Sequence, residues 1–160
     1  MKARALAIIV ALASGLLLLL GTAEAKATRT EYTGTQTCIA TSPGEVTYPD
    51  GNIHIRGSTS TCNSVTTLPD GVSVAYTVGN ANLDSTGSGR VWGTIRIEAT
   101  GGAVLEGSYR GMITGGTSWI VNLVAQGLGD LNAKLFNTSE CQTVSPGVSE
   151  CDMRGTLLVP

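Results

Sequence analysis

Apolar and polar residues alternate along the middle of the chain with the two-residue period of a β-strand. Val91, Gly93, Ile95 and Ile97 alternate with mostly polar neighbours, and the same odd-numbered parity resumes after each glycine-rich turn as far as Leu135. Successive side chains of a strand point to opposite faces, so this pattern predicts one curved sheet with a single buried face.

Turn sequences divide the rest of the chain into pieces of strand length. Pro-Asp-Gly at residues 49–51 and 69–71 gives two strong turns, and no stretch after residue 25 has helical periodicity. The predicted strands are Arg29–Cys38, Gly51–Ser60, Val72–Asp84, Arg90–Ala99, Ala103–Ile113, Thr117–Gln126, Asp130–Phe136 and Met153–Val159. We therefore predict an all-β fold, a single small antiparallel β-barrel of about eight strands, with a two-sheet β-sandwich as the alternative.

The register of the first central hairpin follows from both faces of the predicted sheet. With Gly101 at the centre of a three-residue turn, Ile97 faces Leu105 on the buried side. On the other side Arg96 faces Glu106, a favourable cross-strand pair of opposite charges. With Gly115 as the centre of the next turn, Trp119 on one strand would lie opposite Gly111 on the other.

The parity also sorts the apolar residues into an inner and an outer set. The residues expected to line the interior are Ile95, Tyr109, Trp119 and Leu123. The apolar residues expected outside, as a candidate contact patch for another protein, are Trp92, Met112 and Ile120. The alternative is that a terminal segment or the loops near Cys141 cover this patch.

The first 25 residues have the layout of a secretory signal peptide. A short basic start, Met1–Arg4, precedes the apolar run Ala5–Leu20 and the small-residue site Ala23–Ala25. An uncleaved anchor is the alternative, although the run is shorter than the roughly 20 residues of a membrane-spanning helix. We predict a signal peptide at 1–25, a β-barrel domain with a cysteine-bearing carboxyl-terminal segment at 26–160, no membrane span in the mature chain, and a secreted or periplasmic location.

The four cysteines, Cys38, Cys62, Cys141 and Cys151, all lie in the part predicted to be exported. An even number in an oxidising compartment predicts two disulfides, for which three pairings are possible. We favour 38 with 62 and 141 with 151, because a β-hairpin could bring each pair of sequence neighbours together. Zinc fits poorly, because no two cysteines have the short ligand spacing and His54 is the only histidine.

Charge and motifs argue against several functional classes. Cleavage of the leader would leave eight basic and eleven acidic residues without a basic patch, so we expect no nucleic-acid partner. Glu98 and Glu106 are interleaved with arginines, which favours a solvated ion-pair ladder over a glycosidase pair. No Gly-x-Ser-x-Gly elbow occurs. We predict no catalytic residues, no cofactor and no metal.

One motif has a meaning that depends on the host. Asn137-Thr138-Ser139 matches the acceptor pattern for N-glycosylation. The leader is of bacterial type, so we interpret this match as chance.

Four glycine-punctuated segments resemble those of a known group of proteins. The segments Asn52–Gly57, Gly89–Thr94, Leu105–Gly111 and Gly127–Leu131 resemble the pattern of small exported bacterial proteins of the allene oxide cyclase barrel-like group. The likeness spans residues 30–136 and departs from the pattern at residues 132–133, where a glycine is expected. It implies a small β-barrel. Most such proteins have no assigned activity, and none of the cyclase enzymes' catalytic positions can be placed on this sequence.

Three functional hypotheses follow. The first is an exported, disulfide-stabilised binding or interaction module without catalytic activity, whose partner is a small apolar ligand or another protein. The second is an isomerase or cyclase acting on a lipophilic substrate inside the barrel, chemistry that needs shape more than a nucleophile. The third is a structural envelope protein with a filled barrel.

Overall fold

The computed structural model describes residues 27–69 and 71–160, and the predicted signal peptide lies outside them. Its elements are β1 (Thr28–Ser42), β2 (Glu45–Thr47), a 3-10 turn (Pro49–Gly51), β3 (Ile53–Thr66), β4 (Val72–Leu83), β5 (Gly89–Ala99), β6 (Val104–Thr114), β7 (Ser118–Gly127), β8 (Lys134–Ser145) and β9 (Val148–Val159). Within those two ranges, no helix has the length and hydropathy needed to cross a bilayer.

Strand β1 closes the sheet into a barrel. The strand order is β1-β9-β8-β7-β6-β5-β4-β3, and β1 also pairs with β3, so the last strand of the series meets the first. Every pairing is antiparallel. The eight-stranded barrel predicted from the sequence is confirmed, and the two-sheet sandwich is excluded.

The strands of the barrel are strongly staggered. A path that starts at Ile39 of β1 and steps to the paired residue of each next strand returns to β1 at Arg29, ten residues before its start. Stagger tilts the strands against the barrel axis and widens the barrel for a given number of strands. An eight-stranded barrel of this kind has room either for packed side chains or for one small ligand.

The short strand β2, which the sequence analysis missed, continues the line of β1 along β3. Ser42 of β1 pairs with Thr59, and Glu45 of β2 pairs with Arg56, so each strand advances by three residues between the two pairs. Gly44 lies in the interruption with a φ of 73°, and a Cβ there would collide with the Arg56 carbonyl oxygen. Only glycine fits this position without strain.

Between residues 91 and 135, the odd-numbered residues of the strands face the interior of the barrel, as the sequence pattern predicts. Val91, Leu105, Leu123, Ala125 and Leu135 are all buried, and their even-numbered neighbours are mostly exposed. Between β5 and β6 the observed pairs are the predicted ones, with residue 97 opposite 105 and residue 96 opposite 106. The second of these pairs forms an ion pair of 2.7 Å between Nη1 and Oε1.

The predicted register of the next hairpin is wrong by two residues. Trp119 pairs with Ile113, and Gly111 pairs with Val121. The turn is centred on Gly116 and not on its neighbour at 115, because both glycines adopt left-handed backbone, with φ of 71° and 60°. Moving the centre by one position shifts the pairing by two, which leaves every side chain on its predicted face.

Several predicted strand boundaries also need correction. Strand β8 begins at Lys134 and not at Asp130, because residues 130–133 form tight backbone hydrogen-bonded turns. It continues to Ser145, turns at Gly147 with a φ of 75°, and returns as β9 from Val148. Strand β3 likewise extends beyond its predicted end at residue 60. These extensions bring the polar carboxyl-terminal segment into the barrel wall.

Both disulfides have the favoured pairing, and each joins directly opposite residues on neighbouring strands. Cys141–Cys151 links β8 to β9 within one hairpin, with Cα atoms 4.0 Å apart. Cys38–Cys62 links β1 to β3, with Cα atoms 3.9 Å apart, and these two strands are not a simple hairpin. It therefore fastens the seam at which the barrel closes.

We expect loss of the seam disulfide to cost more stability than loss of the hairpin disulfide. In the chain-entropy model, closing loops with sequence separations of 24 and 10 residues stabilises by about 3.4 and about 2.7 kcal/mol respectively. Denaturant unfolding of C38S/C62S and C141S/C151S would compare the two. Equal losses, or a larger loss for C141S/C151S, would contradict this dependence on loop length.

Candidate functional site

The barrel encloses a cavity of about 570 Å³. Its lining includes all four residues expected in the interior, namely Ile95, Tyr109, Trp119 and Leu123. Small-molecule sites in proteins have volumes of about 300–1,000 Å³, so the cavity is large enough for one. The barrel is therefore not filled by side chains, whereas the hypothesis of a structural envelope protein requires a filled interior.

One wall of the cavity, which we call the apolar wall, is formed by β5, β6 and β7. It includes Ile97, Leu105, Val121 and Leu123 as well as the indole of Trp119. These residues are the inward set that the alternating pattern predicted. Their side chains supply a surface for an apolar molecule and offer it few hydrogen bonds.

The wall formed by β3 and β4 has a different chemistry, which the sequence analysis missed. Ser60 lies opposite Thr77, Ser64 lies opposite Ser73, and all four residues line the cavity. Alternation of apolar and polar residues could not reveal this wall, because its inward side chains are small and polar. The available signal was the spacing of serines at every second position from 58 to 64, interrupted by the buried Cys62.

Polar side chains deeper in the barrel are fixed by hydrogen bonds to one another. Gln36 Nε2 donates to Ser64 Oγ over 2.8 Å. The Tyr32 hydroxyl donates to Asn137 Oδ1 over 3.0 Å, and Asn137 Nδ2 donates to Ser139 Oγ over 2.7 Å. Across residues 27–69 and 71–160, no buried side-chain nitrogen or oxygen lacks a hydrogen-bond partner. These polar side chains are therefore held in place by one another.

Tyr109 lies against the barrel wall across two glycines. It pairs with Gly93, which pairs in turn with Gly79, and a Cβ on the latter would lie only 2.6 Å from the Tyr109 hydroxyl oxygen. The same Cβ would lie 3.1 Å from Ser58 Oγ. The phenol is thereby brought to the serine-rich wall. We call the hydroxyls of residues 58, 60, 77 and 109 the hydroxyl cluster.

Tyr32 is placed in the same way on the other side of the barrel. It pairs with Gly155, and a Cβ at that glycine would lie 2.7 Å from the Tyr32 hydroxyl oxygen. The ring crosses this glycine to reach Asn137, which pairs with Gly155 from the neighbouring strand. Both tyrosines thus lie flat on the wall and leave the centre of the barrel open.

Charge is absent from the described lining. None of the described residues that line the cavity is an aspartate, glutamate, lysine, arginine or histidine. An ionised group in such an interior would lose its hydration without gaining an opposite charge, at a large cost in free energy. The cavity therefore suits an uncharged occupant.

The three residues of the candidate contact patch lie on the outer face. Met112 and Ile120 are directly opposite each other and are 53% and 52% exposed. Trp92 is 36% exposed, and the guanidinium carbon of Arg56 lies 5.2 Å from the centroid of its ring. This cation comes from β3, although the residue directly opposite Trp92 on β6 is Arg110.

The remaining candidate chemistry is on the outside of the barrel. Glu98 and Glu106 both pair with Arg96, at 2.8 Å and 2.7 Å, in a solvated arrangement. Over the described part of the chain, no group of three or more histidine, cysteine, aspartate or glutamate side chains is placed to hold a metal ion.

Comparisons of this chain with protein-family models, with curated proteins and with solved structures return no match.

We expect Tyr109→Ala to destabilise the fold by about 3 kcal/mol or more, because it removes a large ring that packs on two glycines. Tyr109→Phe keeps the ring and is the matched control, with a much smaller loss. Chemical denaturation followed by circular dichroism would measure both. A near-zero cost for the alanine variant would show that the ring contributes little to the wall.

The two lumen tyrosines also predict a loss of stability in alkali. Burial raises the pKa of Tyr32, and burial raises the pKa of Tyr109 against a smaller opposite effect of the Thr77 hydroxyl. The folded state thus holds both phenol protons more tightly than the unfolded chain, in which a phenol ionises at about pH 10. This contribution to stability is complete below that pH and is lost as the pH rises further.

The measurement is the free energy of unfolding between pH 8 and pH 11. We expect it to fall above about pH 10, and to fall less steeply in Tyr32→Phe, which cannot release a proton. Spectrophotometric titration of tyrosinate would follow the ionisation directly. Identical slopes for the two proteins would contradict the assignment to Tyr32.

Proposed function

We propose that this protein is an exported binding module that holds a small, uncharged, predominantly apolar molecule inside its barrel. The observation that carries the proposal is the cavity of about 570 Å³, whose described lining contains no charged side chain. Burial of apolar surface would supply most of the binding free energy. The hydrogen-bonded polar groups of the lining would then orient the molecule.

Export is supported by the two disulfides, since such bonds persist in oxidising compartments. The proposed signal peptide at residues 1–25 would take the chain to the periplasm or outside the cell. A largely apolar ligand site inside a barrel suits a carrier of poorly soluble molecules in these aqueous spaces. The relationship to allene oxide cyclase barrel-like proteins stays a prediction.

The two tryptophans provide a direct test of binding. Trp119 lines the cavity and Trp92 lies outside, so Trp92→Phe leaves a single fluorophore in the lumen. We expect the uncharged probe N-phenyl-1-naphthylamine to bind with one-to-one stoichiometry and to accept energy from the remaining tryptophan. Fluorescence titration measures the affinity.

A pair of variants separates lumen binding from adsorption to the surface. Ser60→Phe places a ring in the cavity and should weaken probe binding at least tenfold. Ser108→Phe makes the same change at an exposed position of β6 and should leave it unchanged. The absence of saturable binding in the wild type, or equal binding by the two variants, would refute the proposal.

The isomerase or cyclase hypothesis is an alternative with the same cavity. A molecule retained by the protein purified from its own host would be extracted and identified. The same molecule would then be incubated with fresh protein and analysed again for chemical change. A retained molecule that leaves the protein unchanged supports carriage. Conversion to an isomer by the wild type, and not by Ser60→Phe, would replace the binding hypothesis with the enzymatic one.

A further inference from the structure

We infer that the ligand carries a single hydroxyl or carbonyl group, which binds at the hydroxyl cluster while its apolar body lies on the apolar wall. This inference rests on the proposed function and names the chemical class of the ligand. It follows from the unequal chemistry of the two opposite sides of the lumen.

The two walls face each other across the barrel. In the closed order of eight strands, β3 and β7 are four strands apart in either direction, so they are diametrically opposite. Ser60 on β3 therefore faces the side of the cavity that includes Val121 and Leu123 on β7. A molecule that spans the lumen meets hydroxyls at one edge and hydrocarbon at the other.

The hydroxyl cluster is a specific feature of the β3–β4 wall and its neighbour Tyr109. Ser60 and Thr77 are directly opposite each other, and both are half-buried, which leaves them accessible from the cavity. Tyr109 brings its phenol to the same wall because the glycines at 79 and 93 leave room for it. Three elements of the barrel thus supply hydroxyls to one region of the lumen, whereas Gln36, Tyr32 and Asn137 are hydrogen-bonded to other lining residues.

Hydroxyl groups determine which polar groups can be recognised. A hydroxyl can both donate and accept a hydrogen bond, and Ser58 Oγ, which donates to the Gly79 carbonyl oxygen over 3.1 Å, can still accept one. The remaining hydroxyls of the cluster suit an alcohol as donor and acceptor or a carbonyl as acceptor. Burial raises the pKa of Tyr109, so its phenol stays protonated at neutral pH and acts as a neutral donor. A carboxylate would bring a charge that no described lining residue opposes, so fatty acids are disfavoured relative to fatty alcohols.

The test compares three ligands that share a ten-carbon chain. 1-Decanol, decane and decanoate would each displace N-phenyl-1-naphthylamine from the wild type and from the double variant S60A/Y109F at pH 8. We expect the double variant to bind decanol about tenfold more weakly, a loss of about 1.4 kcal/mol that matches one or two neutral hydrogen bonds. Its affinity for decane should be unchanged, and decanoate should bind the wild type more weakly than decanol.

The controls separate this inference from the proposed function. Failure of the probe to bind the wild type would refute the cavity as a ligand site. Probe binding with equal losses for decanol and decane, with no loss for either, or with decanoate preferred over decanol would overturn only the ligand class. Ser108→Ala on the outer face is the matched serine control, and the single variant Ser60→Ala, with a smaller loss for decanol alone, repeats the test with less disturbance of the fold.

Discussion

Closure of the sheet by β1 is the constraint on which the other features depend. This strand pairs with β9 near one end of the chain and with β3 on its other side, so the eight main strands leave no open edge among themselves. A closed sheet has an inside, and the stagger of ten residues gives that inside its width. Cys38–Cys62 lies across the closing pair, so the covalent bond reinforces the contact that an open sheet would lack.

The lumen stays open because large residues are kept against its wall. Tyr109 and Tyr32 each lie over glycines of adjacent strands. Apart from Ile55, β3 and β4 line the cavity mostly with small residues such as serine, cysteine, alanine and threonine. Small polar side chains on an inner face weaken hydrophobic burial and require internal hydrogen bonds. That arrangement lowers the free energy of unfolding relative to a filled hydrocarbon core. Such a loss of stability is typical of a functional site.

The sequence predicted the fold best where inward and outward residues differ most in polarity. From residue 91 to 135 the contrast is strong, and the buried face and the register of the β5–β6 hairpin are correct. Around Gly115 two adjacent glycines could each centre the turn, so local chemistry did not determine the register. In β3 and β8 the inward serines and Asn137 are as polar as their outward neighbours, so hydrophobic alternation was silent on the very residues that give the lumen its hydrogen-bonding groups.

Asn137 illustrates how folding decides what a short motif can do. It is only 7% exposed, inside the barrel, and both polar atoms of its amide are engaged by Tyr32 and Ser139. An oligosaccharyltransferase could reach this asparagine only on a chain whose barrel has not yet closed, and the attached sugar would then occupy the lumen. Production in yeast or animal secretory cells therefore sets glycan transfer in competition with barrel closure, and replacement of Ser139 by alanine would remove that competition.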